Sequence, residues 1–418
     1  MTTVPGTSPT NSDDWAVRAG TEQDYPEMAR IFCEALLMDR AEFLEHMLEY
    51  PVVEYDRGLV AVDDHRVIGS AQAFSFDFTL PAGPRPVAGI TAVGVWPTHR
   101  RRGVLTALMR RQLADIRDRG EKVAVLWASE GGIYERFGYG QGIRELRATI
   151  RRVDAILSPD VPRDPELTVE LYEPLEAIEV LTSLHRDLAP TRVGQFTRST
   201  RWWEHILHHK SGEGELPRVA VVYGPDGPQG YARYTAVSNW VGGGAHGRLQ
   251  VNELYTATPR ARVALYEHLF SRDLIGEITF SRLPLDDPLP LLLVDRNKLE
   301  RRPYDSLWVR LVDLPGALAD RPWATTVETV LEVSDHHAPW NAGRWKVITD
   351  TDGVRVEPTD AAPDIGLDTA QLGGAYLGQV PLHDHWEAGR LTEHTPGAVA
   401  RMDQALYLPG APFCGSNF

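Results

Sequence analysis

The chain has 418 residues, 43% of them apolar, and a formal net charge of −15, which suits two or three globular domains and excludes a disordered or fibrous class. No window holds the run of about 18 apolar residues that a membrane helix needs, and the polar stretch Met1 to Asp14 lacks the basic and apolar regions of a secretory signal. The acidic balance works against nucleic acid as a partner, and it attracts cationic partners such as amines.

Met1 to Ser12 reads as a tail. Trp15 to Arg18 is the first expected strand. Thr21 and Asp24 form a capping box ahead of a helix from Tyr25 to about Leu37, and a second helix covers Ala41 to Glu49. Leu59–Val62 and Arg66–Gly69 read as two strands around an Asp63-Asp64-His65 turn, and Ala71 to Leu80 alternates as a further strand. Pro81-Ala82-Gly83-Pro84 turns the chain into a segment that runs from Gly89 to Gly140.

That segment holds the clearest chemistry. An apolar strand through Val93-Gly94-Val95 meets a Trp96-Pro97-Thr98 turn, then His99-Arg100-Arg101-Arg102-Gly103, then a helix from Val104, Leu105 and Thr106. The first amides of a helix lack intrahelical partners and carry partial positive charge. With three arginines beside them and Gly103 permitting close backbone approach, they form a cradle for a pyrophosphate. The strand Val123–Ala128 then leads into Ser129-Glu130-Gly131-Gly132-Ile133-Tyr134 and Arg136-Phe137-Gly138-Tyr139-Gly140.

Val95-x-Pro97-x-x-Arg100-x-x-Gly103 resembles the acetyl-CoA loop of the GNAT acyltransferases. The longer string through Gly131-Gly132-Ile133-Tyr134 and Phe137-Gly138-Tyr139-Gly140 resembles the Eis (enhanced intracellular survival) acetyltransferases of actinobacteria. Leu105, where most GNAT loops have Gly or Ala, agrees with that narrower group. The resemblance implies an α/β (α+β) chain with a GNAT domain over residues 1–155, a degenerate second GNAT-like domain over 166–300 and a sterol-carrier-like domain over 301–418.

Past a strand from Arg144 to Arg152 and the Pro159–Pro165 linker, the expected elements fit that plan. Helices cover Ile178–Asp187 and Ser199–His208. Strands cover Val219–Tyr223, Gly230–Val237 and Leu249–Tyr255, and Thr258-Pro259 opens a helix to Phe270. This repeats the strand, Pro turn and helix, but Ala261, Arg262 and Val263 follow Arg260 without the glycine, so no cofactor is expected there. Beyond Pro290 come strands at Leu307–Leu311, Val327–Asp335, Gly343–Ile348 and Val354–Pro358, with helices at Leu314–Ala319, Thr369–Leu377 and Ala398–Leu406.

Acetyl transfer to an amine needs a polarised carbonyl, a proton acceptor and a proton donor. Backbone amides of Val93, Gly94 and Val95 can serve the carbonyl, with Gly94 suited to a bulge. Tyr134, placed by the resemblance, is the expected acid, because a phenol stays protonated at neutral pH; Tyr139 is the rival. The resemblance implies that the base is the C-terminal carboxylate, here of Phe418. Asn417 lacks the charge that some family members carry beside it.

The expected cofactor site comprises Val93, Gly94, Val95, Arg100, Arg101, Arg102, Gly103, Val104, Leu105, Thr106, Ser129 and Glu130. Arg110 and Arg111 read as a solvated face. An amine substrate is expected against Phe32–Phe43 and Phe74–Phe78, with Glu34, Asp39 and Asp77 nearby. His208-His209, His336-His337 and His383-x-His385 lack metal-ligand spacing, so no metal is expected. Cys33 and Cys414 read as reduced thiols. The resemblance also implies a homohexamer, and a cytoplasmic location is expected. The different class of function is a lipid or small-molecule carrier built on the third domain.

Overall fold

The computed structural model describes residues 15–418 apart from 65, 209–211, 213, 214 and 352. The tail Met1 to Ser12, His65 of the expected turn and His209 of the paired histidines lie outside the described residues.

Two seven-stranded sheets and one five-stranded sheet organise the chain. The first sheet uses β1 (Trp15–Ala19), β2 (Gly58–Asp63), β3 (Arg66–Leu80), β4 (Gly83–Val95), β5 (Val123–Trp127) and β6 (Gly140–Gln141). The two strands expected at 66–69 and 71–80 are one, β3. Gly69 lets the helix above pack close to this strand, since a Cβ there would come within 2.8 Å of Val104.

Helices α1 (Tyr25–Leu36) and α2 (Arg40–Glu49) follow β1, and α3 (Val104–Asp118) follows β4. α1 buries Tyr25, Met28, Ala29, Ile31 and Cys33, and stops at Leu37 in a left-handed conformation. α3 buries Val104, Leu108, Met109, Leu113 and Ile116 at helical spacing. Each large apolar side chain so covered contributes about 1.5–3 kcal/mol at most.

The sheets cross the domain boundaries expected at residues 155 and 301. Strand Leu307–Leu311 lies between β5 and β6 in the first sheet, antiparallel to both. β7 (Arg144–Arg151), expected as the last strand of the first domain, lies in the second sheet between strands Glu300–Asp305 and Ile275–Pro284. The helix Thr369–Ala375 presses on Gly140, where a Cβ would sit 1.8 Å from the Ala370 carbonyl oxygen. β6 is only two residues long, and the chain passes to the other sheet.

The second sheet continues through Gly247–Thr256, Gly227–Val237, Glu215–Gly224 and Thr168–Tyr172. The third sheet runs Gly353–Pro358, Gly343–Asp350, Val327–Ser334, Ile365–Asp368 and Thr392–Glu393. One core joins the first and third sheets, from Phe74, Phe76 and Phe78 through Val309 to Leu331, Val347 and Tyr376. A buried Arg310–Asp335 pair at 2.6 Å locks them. The Asp335 carboxylate also accepts from Asn341 Nδ2 and from the amides of His337 and Ala338, which offsets its desolvation.

Candidate active site

β4 and β5 run parallel only from Ala88↔Ala124 to Ile90↔Leu126 and then part. Just beyond, β4 takes an extra residue against β3, whose partners jump from Thr91 (opposite Gln72) to Gly94 (opposite Ser70). The extra residue is Ala92, with φ of +48°, and Ser70 Oγ donates to its carbonyl at 3.0 Å. A bulge in a parted strand turns backbone amides into the gap. The bulge is therefore centred on Ala92, not on Gly94 as expected. Gly94 serves packing: a Cβ there would lie 2.8 Å from Ile31 of α1.

The loop after β4 reaches α3 through His99, which is buried. His99 Nε2 meets Asp63 at 2.9 Å and its Nδ1 meets Thr98 Oγ1 at 2.9 Å. Arg101 and Gly103 both take positive φ, +63° and +83°. Gly103 caps α3 without a side-chain bond. The first intrahelical bond is from the Ala107 amide to the Gly103 carbonyl, so the amides of Val104, Leu105 and Thr106 precede it. Arg100, Arg101 and Arg102 are exposed around this helix end. Arg110 and Arg111 are exposed, as expected; Arg110 also donates to His337 of the third unit at 3.3 Å, and Arg111 pairs with Asp115.

Tyr134 stands on a short helix, α4 (Gly131–Glu135), beyond the end of β5. It is 8% exposed, and burial pushes its phenol up to about 12. Tyr139 packs edge-on against it at 6.2 Å, is fully buried and has an unpartnered hydroxyl. Tyr134 lines the large cleft below the β4–β5 gap; Tyr139 does not.

The last residues are built into the fold. Glu145 on β7, fully buried, accepts from the Cys414 and Gly415 amides at 3.2 and 3.0 Å. The Phe413 amide donates to Val193 at 2.8 Å, and Arg192 donates to the Ala411 carbonyl at 2.9 Å. The Phe418 ring packs edge-on against Phe76 and Phe196, with centroids 4.8 and 5.8 Å away. Gly89 makes room chiefly for Phe76, whose ring a Cβ there would meet at 2.1 Å, with the Phe418 ring next at 3.2 Å.

The cleft encloses about 1300 Å³. Of the residues expected for chemistry, it brings Val93, Ser129, Tyr134 and Phe418 together with Thr91 and Ala92. Gly94, Val95, Glu130 and the residues 100–106 lie outside its lining. On the acceptor side Phe32, Asp39, Phe43 and Phe74 line it, whereas Glu34 and Asp77 do not. Sequence reasoning missed the wall from the second unit: Trp202, His205, Arg233, Glu253 and Arg282. The aromatic pair on the helix over Thr200–Leu207 was a signal, for Trp202 faces the cleft while Trp203 is buried behind it. Among the described residues no cluster of His, Cys, Asp or Glu could hold a metal ion. No helix among them is long and apolar enough to cross a membrane.

This geometry defines a GNAT acyltransferase, and the comparisons agree. Residues 16–142 and 194–311 each match an acetyltransferase (GNAT) domain, and residues 314–415 match a sterol carrier protein domain. A Streptomyces avermitilis protein described as an uncharacterized N-acetyltransferase is 38% identical over 90% of this chain and 92% of its own. N-acetyltransferase Eis of Mycobacterium tuberculosis is 33% identical over 81% of this chain and 83% of its own. The crystal structure of Eis1 from Mycobacterium abscessus superposes with a TM-score of 0.84 at 33% identity, covering 97% of this chain and 100% of that one. The chain belongs to the Eis-like family of GNAT N-acetyltransferases: two GNAT domains followed by a sterol-carrier-like domain.

The residues present suit acetyl-CoA as co-substrate. The parted edge of β4 from Thr91 to Val93 offers amides to a thioester and its pantetheine, and the open end of α3 with its arginines suits the pyrophosphate. Gly103 leaves that approach clear, since the nearest atom to a Cβ there is 4.0 Å away.

Proposed function

We propose that the chain transfers the acetyl group of acetyl-CoA to a primary amine of the aminoglycoside, polyamine or lysine type, or to a smaller aryl amine, by direct attack in a ternary complex. The observation that supports this reading is that the bulged edge of β4, Tyr134 and Phe418 all line one cleft. Acetyl-CoA supplies an activated thioester. The amides at the β4 bulge stabilise the charge that develops on its carbonyl oxygen. The Phe418 α-carboxylate accepts a proton from the amine, directly or through water, as the carbon–nitrogen bond forms. Tyr134 donates its phenolic proton to the sulfur as the carbon–sulfur bond breaks, and then recovers a proton from solvent. Burial holds Tyr134 protonated through the neutral range, the state a general acid requires. The proposal includes assembly as a cytoplasmic homohexamer, checked by sedimentation.

The test is thiol release from acetyl-CoA against aminoglycosides, polyamines, lysine peptides and small aryl amines. Turnover with at least one class, with intersecting initial-rate plots, is expected. Parallel plots or an isolable acetyl-enzyme contradict direct attack. Silence across every class contradicts the transfer reading.

A further inference from the structure

The wall of the cleft built by the second sheet is positively charged, in a chain whose net charge is −15. Arg147 and Arg282 stand on neighbouring strands, β7 and Ile275–Pro284, and both line the cleft. Beside them, Arg198 and Arg233 share the single carboxylate of Glu253, at 2.9 and 3.2 Å. That triad retains one positive charge.

Buried arginines of the chain meet a carboxylate or a backbone carbonyl, as Arg321 does at Leu406. Arg57 bonds Glu121, and Arg310 bonds Asp335. Among the described residues half-buried Arg282 and exposed Arg147 have no ion-pair partner. The carboxylate of Glu145 on the same face is taken up by the Cys414 and Gly415 amides and the Tyr304 hydroxyl. Arg147 lies over the Tyr304 ring at 5.8 Å. Arg282 lies over the Trp127 ring at 4.9 Å, and its hydrogen-bond acceptor is the neutral side-chain oxygen of Asn417. Its Nη1 is enclosed with no hydrogen-bond partner.

The Arg282 guanidinium, set over an aromatic ring with one nitrogen enclosed and no carboxylate in ion-pair contact, can receive a planar or tetrahedral oxyanion. Trp127, which Arg282 covers, lines the cleft with Ala128, Ser129 and Tyr134, so the charge lies beside the expected reaction centre. The α2 region brings the reverse sign to the same cleft: Asp39, Glu42, Glu45 and Glu49, all exposed, line its rim. Phe32, Phe43, Phe74 and Trp202 lie between as an apolar middle. A uniformly cationic acceptor matches only the rim.

We infer that, among the amines of the proposed reading, the preferred acceptor is a lysine-type or aryl amine that also carries an anionic group, a carboxylate or a phosphate, and that Arg282 seats that group with Arg147 at its exposed edge. This rests on the acetyl-transfer reading for its chemistry, but the binding claim stands apart from it. The subsite selects the acceptor and takes no part in bond making.

The test uses matched acceptors that differ in one group: 4-(aminomethyl)benzoic acid against 4-(aminomethyl)benzamide, and an ω-aminoalkyl phosphate against the corresponding alcohol. In the intact protein the anionic member of at least one pair should show kcat/KM about tenfold higher, mainly through KM, as a charge-assisted contact gives. Arg282→Gln should bring that ratio toward one, and Arg282→Lys should restore part of it. Which pair responds distinguishes carboxylate from phosphate. Ratios of one or below in the intact protein overturn the proposal, as does a ratio that Arg282→Gln leaves unchanged. If none of the acceptors is acetylated, the transfer reading is what suffers, and quenching of tryptophan fluorescence then reads binding directly. Tighter binding of the anion, lost in Arg282→Gln, upholds the subsite; equal binding of both members overturns it.

Discussion

The two GNAT units start from the same plan and end in opposite states. In each, a strand runs parallel to its neighbour for a few residues, takes a bulge and parts from it. In the first unit the parting follows Ile90↔Leu126, with the bulge at Ala92. In the second it follows Val251↔Phe280, where pairing with strand Gly227–Val237 skips Asn252.

The first fork is open toward the cleft. The second is filled by the chain's own C-terminal segment. Gly415 lies so close to Tyr255 that a Cβ would come within 2.2 Å of its hydroxyl, Phe413 packs on that ring at 6.0 Å, and Asn417 accepts from Arg282 across the fork.

The helices that follow differ in the same sense. α3 begins at Gly103 with no side-chain cap. Helix Pro259–Phe270 begins with a proline that has no amide hydrogen, and the Thr258 hydroxyl accepts from the Ala261 amide at 3.1 Å. The lesson is that the duplicated geometry is kept but reassigned: one fork stays open, to the acyl donor on the proposed reading, and the other holds the tail that brings Phe418 to the cleft.

Four changes sharpen or break this contrast. The largest effect is expected from Tyr134→Phe, which should lower kcat by roughly 100- to 1,000-fold, as loss of a general acid does, with little change in acetyl-CoA affinity by calorimetry. Adding residues after Phe418 replaces its carboxylate by an amide and should cut turnover by about 100-fold, while circular dichroism shows an intact fold. Full activity in the extended chain would leave the tail a purely structural plug.

Thr258→Ala should lower stability by about 1 kcal/mol in a denaturant titration and create no second acetyl-CoA site. The smallest and most diffuse effect concerns His185. Burial, with Arg198 nearby, lowers it from 6.5 to about 3 in the fold. Between those values the unfolded chain binds the proton and the folded chain does not. Stability is therefore fully present above pH 6.5 and falls as the pH drops toward 3. His185→Gln should flatten that slope in unfolding midpoints measured from pH 7 to 4.

The loop ahead of α3 was legible because its signals are local: a Pro turn, an arginine run, a glycine at a helix start; Tyr134 was placed by the resemblance, and it lines the cleft. Most element bounds followed from periodicity for the same reason. The exchange of β7 and strand Leu307–Leu311 between sheets was not legible, because alternation reports which face is buried and not which strand pairs with it. Gly94 illustrates the same limit. Its position suited a bulge, but the space it leaves is taken by Ile31, and Ala92 takes the strained conformation. Arg282 and Arg147 carried no motif. Their meaning comes from the carboxylates they lack, which appears only once the fold sets Glu145 against the tail and Glu253 against Arg198 and Arg233.

The most direct test of the contrast is a calorimetric titration of acetyl-CoA into the intact chain and into Gly103→Val. Valine at φ of +83° is strained and would distort the open helix end of the first unit while leaving the second untouched. One site per chain, weakened at least about tenfold in the variant, is the expected result. Two sites, or a single site that the variant leaves intact, would contradict the assignment of the open fork to the donor.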